Sequence, residues 1–205
     1  MRITKAVFAG SSQKLEDRPK AKLPEFAFIG RSNVGKSSLI NTLCSNDKLA
    51  KTSATPGKTL LINHFLINGS WYLVDLPGYG YAKISQKGRE NLTKMINGYI
   101  SNSQELALLF VLLDSRHPIQ KIDLEFLMAL GEAQVPFSII FTKGDKLGKN
   151  ALAAQVEANK KTLLQYWEEL PPIFVTSSET GFGKEDLLEY IESVLGIIKE
   201  NKNIY

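Results

Sequence analysis

Apolar residues recur along this chain with two different periods. Short continuous runs, "EFAFIG" (25–30), "LINHFLI" (61–67), "WYLVDL" (71–76), "LALLFVLLD" (106–114), "PFSIIFT" (136–142) and "PIFVTS" (172–177), alternate with stretches where apolar residues return every three or four positions. The runs predict strands, and the spaced stretches predict helices after Ser37 and near 85–103, 121–133, 150–168 and 184–200. Leu92, Met95, Ile96, Tyr99 and Ile100 share one helical face behind a Ser85 cap, and Leu187, Leu188, Ile191, Val194, Leu195 and Ile198 share another. Near-continuous apolar strands are buried on both faces. The expected fold is therefore a three-layer α/β domain. It has a mostly parallel six-stranded sheet, helices on both faces and one antiparallel edge pair, the hairpin around "NGS" (68–70). An N-terminal strand and loop (1–25) should belong to this domain, whose body runs over 26–198, with residues 10–25 as loop and a frayed tail at 199–205.

Composition adds three constraints. A chain of 205 residues, 43% hydrophobic, suits one domain with a full core. No apolar run approaches the ~18 residues of a membrane span, and "MRITKAVFAG" lacks the layout of a secretion signal. With the single Cys44, at helical spacing with Leu39, Ile40 and Leu43, this makes a cytoplasmic location the expectation. Charge is uneven: residues 1–100 carry a net +9 and residues 101–205 a net −5. That asymmetry fits either a polyanionic partner for the basic half or cations gathered around a nucleotide.

The chemistry starts at "GRSNVGKS" (30–37), which fits the phosphate-binding pattern G-x-x-x-x-G-K-[ST] and lies between an apolar strand and an amphipathic helix. Backbone N–H groups of such a turn aim at phosphate oxygens. Lys36 would bridge the β- and γ-phosphates, and the Ser37 hydroxyl would ligate Mg²⁺. Asp75, at the end of "WYLVDL", is placed to reach that metal through water, and Gly78 lets its N–H approach the γ-phosphate. A second Mg²⁺ ligand should come from a threonine of "KTSATPGKTLL" (51–61). Thr52, Thr55 and Thr59 compete, Thr59 being preferred and Thr55 next.

The base end is read from "FTKGD" (141–145). Asp145 would accept the two donors of the guanine edge, which adenine lacks, so a buried carboxylate selects GTP over ATP. The Lys143 stem can lie along the base while its amine braces the phosphate loop. Ser177 and Ser178 of "VTSSETG" (175–181) offer backbone N–H groups to guanine O6. The expected contact set is thus Gly30, Arg31, Ser32, Asn33, Val34, Gly35, Lys36, Ser37 and Ser38, with Gly57, Lys58, Thr59, Leu60 and Leu61. Asp75, Leu76, Pro77 and Gly78 follow, then Thr142, Lys143, Gly144 and Asp145, and finally Thr176, Ser177 and Ser178.

With these motifs in order, the chain resembles the EngB (YihA/YsxC) family of small bacterial GTPases. "GRSNVGKSSLIN" (30–41), "TSATPGKT" (52–59), "VDLPGYGYA" (74–82), "DSRHPI" (114–119), "TKGD" (142–145) and "VTSSETGFG" (175–183) carry the likeness, over about residues 5–195. The resemblance implies a P-loop GTPase with GTP/GDP and Mg²⁺, acting in assembly of the large ribosomal subunit through rRNA or ribosomal proteins. It implies neither DNA nor membrane as partner, and a monomer. It also makes the threonine of "TKGD" ordinary, where most GTPases have asparagine. Many switch GTPases keep a water-orienting glutamine where Tyr79 stands, so intrinsic hydrolysis should be slow, on the order of 10⁻⁴ to 10⁻³ s⁻¹. The missing element is then an arginine finger from a partner or K⁺ held by Asn33, which with Lys36, Thr59 and Gly78 completes the expected catalytic set.

Two other functions compete with the switch. A small-molecule P-loop kinase would want an arginine-rich lid, whereas Arg2, Arg18, Arg31, Arg89 and Arg116 are dispersed. A non-hydrolysing GTP-dependent scaffold in septation or cell division has no amphipathic anchor or coiled coil in its favour. Elsewhere, His64, Trp71 and Trp167 are expected in packed settings, and Arg116 and His117 in structural or partner-facing ones. Tyr79 and Tyr81, beside Lys83, Lys87 and Arg89, are expected either to stack on RNA bases or to sit in a mobile loop.

Overall fold

The computed structural model describes residues 1–50, 61–80 and 85–202. Strands β1 (Ala6–Ser12), β2 (Glu25–Gly30), β3 (Ile62–Ile67), β4 (Trp71–Asp75), β5 (Leu106–Asp114), β6 (Phe137–Thr142) and β7 (Ile173–Val175) form one seven-stranded sheet. Its order is β1-β3-β4-β2-β5-β6-β7. Helices α1 (Lys36–Cys44), α2 (Gln86–Asn102), α3 (Lys121–Glu132), α4 (Lys149–Leu163) and α5 (Lys184–Lys202) cover it.

Alternation along β2 explains the layering, because a strand points successive side chains to opposite faces. Phe26 and Phe28 pack with Phe110, Trp71 and the apolar faces of α1 and α5. Ala27 and Ile29 pack on the other side with Tyr72, Val74, Val111, Phe141 and helices α2, α3 and α4. Cys44 and Trp71 are buried, as expected, and Trp167 is partly buried against the second layer.

The expected hairpin forms: β3 and β4 are antiparallel, joined at Asn68 and Gly69, with φ of 50° and 66°. Positive φ at both central positions suits Asn-Gly and matches the twist of paired strands. The Asn68 side chain does more than turn the chain. Its Oδ1 accepts from the Thr4 and Lys5 N–H groups at 2.9 and 3.0 Å, and its amide donates to the Arg2 carbonyl at 2.9 Å, which seats the entry to β1.

Three expectations need correction. The sheet has seven strands, not six, because β1 adds to β3 in antiparallel fashion with a register shift between Phe8 and Gly10. The segment 10–25 is not all loop: β1 reaches Ser12, and a short 3-10 turn spans Leu15–Asp17. The last helix continues to Lys202, past the expected start of a frayed tail at 199, since no breaker follows Gly196. Helix α2 begins behind Ser85, whose hydroxyl accepts from the Gly88 N–H.

At the end of the sheet where β2 begins, Glu25 is 3% exposed. Its carboxylate accepts from the Tyr99 hydroxyl at 2.6 Å and the Ser103 hydroxyl at 3.0 Å, and lies 3.4 Å from His64 Nε2. Burial raises its pKa, but the neighbouring His64 and the bond from the Tyr99 hydroxyl outweigh that and leave it below the usual glutamate value. Strands β2 and β3 are thereby tied to α2, and His64 is a packed histidine rather than a base. The opposite end of the sheet, at the carboxyl ends of the parallel strands, is where ligands of such folds bind.

Candidate nucleotide site

β2 delivers Gly30 to that end, and the chain turns through Asn33 (φ 64°) and Gly35 (φ 101°) into α1. Backbone closeness explains two glycines here. A Cβ on Gly30 would stand 2.8 Å from Val34 Cγ1 and 2.9 Å from the Leu112 carbonyl oxygen, and one on Gly78 would stand 2.7 Å from the Gly30 oxygen. The loops carrying Gly30 and Gly78 therefore touch main chain to main chain. Helix α1 has no side-chain cap at Gly35, so the N–H groups of its first turn face outward unpaired by any cap. An uncapped helix start with a lysine and a serine in its first turn is an anion site that can also hold a cation's oxygen ligand. Lys36 and Asp75 meet here, the amine donating to the carboxylate, and Ser37 lies half-buried beside them.

The phosphate loop is braced from β6. The Thr142 hydroxyl donates to the Val34 carbonyl at 2.5 Å, and the Lys143 amine donates to the Asn33 carbonyl at 2.7 Å and to Asp114 at 2.9 Å. Threonine thus braces the loop directly, through a hydroxyl bond to its main chain. Burial raises the Asp114 pKa, but hydrogen bonds from Arg116 and Lys143 outweigh it and hold the group well below the carboxylate range. Arg116 is therefore structural in this arrangement.

Next to Lys143, the Gly144 N–H donates to the Thr176 carbonyl at 3.0 Å, which aligns the loops after β6 and β7. Asp145 receives Lys146 at 2.8 Å and the Ser177 hydroxyl at 2.7 Å, and these bonds, Lys146 first, lower its pKa and keep it an acceptor. One expectation shifts here. The Ser177 N–H already donates to the Phe182 carbonyl at 3.0 Å, which leaves Ser178 as the N–H for an incoming carbonyl. Leu76 and Pro77 are buried, with the Leu76 N–H on the Phe28 carbonyl.

One residue departs from expectation. Tyr79 is 9% exposed, so it neither stacks on a partner's bases nor sits in a mobile loop. The Arg31 side chain stands beside Gly80 and lines, with Asp123, His117 and Asn159, a cavity of about 380 Å³. Asp123 was missed. Gln120 and Asp123 form a capping box legible in "QKID", but nothing in the sequence joins that box to Tyr79. Ser32, Asn33 and Ser38 are exposed around the turn, and Leu61 is half-buried. Thr52, Thr55, Gly57, Lys58, Thr59, Leu60, Tyr81 and Lys83 lie outside the described residues. Among the described residues, no three histidine, cysteine or carboxylate groups cluster to hold a metal.

Comparison with known proteins gives a concordant answer. A family model described as "50S ribosome-binding GTPase" matches residues 25–143. The probable GTP-binding protein EngB of Porphyromonas gingivalis is 58% identical over 95% of this chain and 96% of its own. That of Bacteroides thetaiotaomicron is 54% identical over 98% of this chain and 100% of its own. Among solved structures, a probable GTP-binding protein EngB aligns with a TM-score of 0.61 at 25% identity, covering 83% of this chain and 97% of that one. Era in complex with MgGDPNP and a segment of 16S ribosomal RNA aligns at 0.62 and 20% identity, over 82% of this chain and 55% of Era, a likeness of fold alone. A phosphate loop bonded to a TKGD loop, in a chain this similar along its whole length to these relatives, leads to one conclusion: it belongs to the EngB family of GTP-binding proteins.

Proposed function

We propose that this chain binds GTP and GDP with Mg²⁺, hydrolyses GTP slowly, and works as a switch in assembly of the large ribosomal subunit. The observation that carries the proposal is the bonding of Thr142 and Lys143 onto the phosphate loop, which supports a single nucleotide held at both ends. Lys36 would leave Asp75 for the β- and γ-phosphates, and N–H groups from Ser32 to Ser38 would line the phosphate oxygens. The Ser37 hydroxyl, Asp75 through water, and Thr59 would hold Mg²⁺. When bound, the ion neutralises charge on the phosphates. The contacts assigned to Gly57, Lys58, Thr59 and Leu60 remain part of this proposal. Gly78 would give its N–H to the terminal phosphate, and Asp145 and Ser178 would read guanine. Asn33, whose side chain pairs with nothing among the described residues, would hold K⁺ beside the phosphates, where the cation stands in for an arginine finger. The cytoplasm is the proposed location and a monomer the proposed state.

Asp145→Asn should cut GTP affinity about 100-fold and improve binding of xanthosine triphosphate, because one acceptor becomes a donor. Equilibrium titration with both nucleotides checks this, and unchanged guanine selectivity would remove Asp145 from the base site. Exchange of Na⁺ for K⁺ should speed single-turnover hydrolysis in the wild type but not in Asn33→Ala; stimulation that survives the substitution would sink the cation assignment. For the cellular role, the purified chain loaded with GDP or a non-hydrolysable GTP analogue is sedimented with separated ribosomal subunits at near-physiological salt, since basic proteins adhere to RNA at low ionic strength. Saturable co-sedimentation with the large subunit in the triphosphate state is expected. Equal binding to both subunits in both states would contradict the assembly switch.

A further inference from the structure

The position that carries a water-orienting glutamine in many switch GTPases holds an aromatic ring packed onto α3. Tyr79 follows Gly78 directly, and its N–H donates to the Gly30 carbonyl at 3.2 Å while its strand segment bridges Arg31. Its ring stacks on Phe126 of α3, with centroids 4.5 Å apart and planes at 23°. Its hydroxyl donates to Asp123 Oδ1 at 2.9 Å, and the other oxygen of that carboxylate accepts the Gln120 N–H that starts α3. The residue after Gly78 is thus held by three separate bonds or stacks, one to the phosphate loop and two to α3.

We propose that Tyr79 is a positioning residue for GTP hydrolysis: its bond to Asp123 and its stack on Phe126 clamp Tyr79 in place beside the phosphate loop, so that the Gly78 N–H, one peptide earlier, is fixed where the terminal phosphate would meet it. The inference rests on the GTPase reading above and says which side chain sets the geometry of its γ-phosphate contact. Preorganised donors cost no reorganisation during the reaction, whereas a donor that must first be ordered loses that advantage. The geometry has a chemical consistency as well. Burial, and then the charge of Asp123, push the phenol far above its ordinary pKa, so it remains a donor. Burial also raises Asp123 above its ordinary value, and the groups that offset this are Tyr79, the Gln120 N–H and Arg31, whose side chain faces the same carboxylate. A glutamine in place of Tyr79 would lack both the stack and the reach to Asp123. In this chain the position is therefore filled by an anchor, and the chemistry a glutamine would supply falls to other groups.

The two contacts to α3 hold the residue next to Gly78, and the variants below leave the backbone bond to Gly30 in place, so loss of those contacts should separate triphosphate from diphosphate. Tyr79→Phe keeps the stack and removes the hydroxyl; Asp123→Ala removes the acceptor from the other side. Both are compared with the wild type for GDP affinity, affinity for a non-hydrolysable GTP analogue, and kcat at saturating GTP, with melting temperature as the fold control. Tyr79→Phe should keep GDP affinity within about twofold while analogue affinity and kcat fall about tenfold, misplacement by a fraction of an ångström being enough for such losses. Asp123→Ala should show the same split, and the double variant should be no slower than the slower single one. A lowered melting temperature with wild-type kcat and analogue affinity would overturn the proposal and leave Tyr79 a core residue. A parallel fall in GDP and analogue affinity would overturn it too. A wild type that binds GTP and never hydrolyses it would refute the hydrolytic reading instead, and the clamp would then be judged by the analogue-against-GDP split alone.

Discussion

The site depends on two hydrogen bonds that cross from the end of β6 to the phosphate loop. The Thr142 hydroxyl and the Lys143 amine take the carbonyls of Val34 and Asn33, neighbouring residues 108 and 110 positions away in sequence. A loop that exposes its N–H groups to an anion must leave its carbonyls pointing the other way, and a carbonyl so buried is costly unless bonded. The loop after β6 supplies the donors. In doing so it ties the phosphate loop to the segment that carries Asp145, so on the proposed reading base and phosphates would be recognised by loops braced together rather than by two independent ones.

The rest of the fold holds that contact in register. Parallel pairing of β2 with β5 and of β5 with β6 brings Gly30, Asp114 and Thr142 to the carboxyl end of the sheet. Asp114 then anchors Lys143 and Arg116 together. At the far end, the buried Glu25 network ties the start of β2 to α2 and β3, so the strand that delivers the phosphate loop is bonded at both ends. On the other flank, β4 carries Asp75 and Gly78 to the loop, and Tyr79 passes the connection on to α3.

Much of this was legible in the sequence, for identifiable reasons. Glycine spacing, the lysine and serine that follow, and an apolar strand ahead define the phosphate loop because the constraint is local. The Asn68-Gly69 hairpin is legible because a two-residue turn with positive φ admits few sequences. An N-terminal strand is expected from the sequence, but neither its bounds nor its place in the sheet: β1, "AVFAGSS", is an edge strand exposed over most of its length, and it buries too little to leave an apolar pattern. Tyr79 was misjudged because an aromatic beside lysines looks the same whether it meets RNA or a helix, and its partner Asp123 lies 44 residues on. Thr142 read as a departure from the asparagine of other GTPases, but its hydroxyl needs only one acceptor and Val34 provides it.

The central claim, that one braced loop serves both ends of the nucleotide, is tested most directly by titration calorimetry of Thr142→Val with GDP and with a GTP analogue. The substitution is nearly isosteric and removes only the hydroxyl, leaving the Val34 carbonyl without its donor at a cost of about 1–3 kcal/mol. The account predicts that both affinities fall about tenfold or more, and by the same factor, each 1.4 kcal/mol being about tenfold. Wild-type affinity for both nucleotides in a folded variant would contradict it.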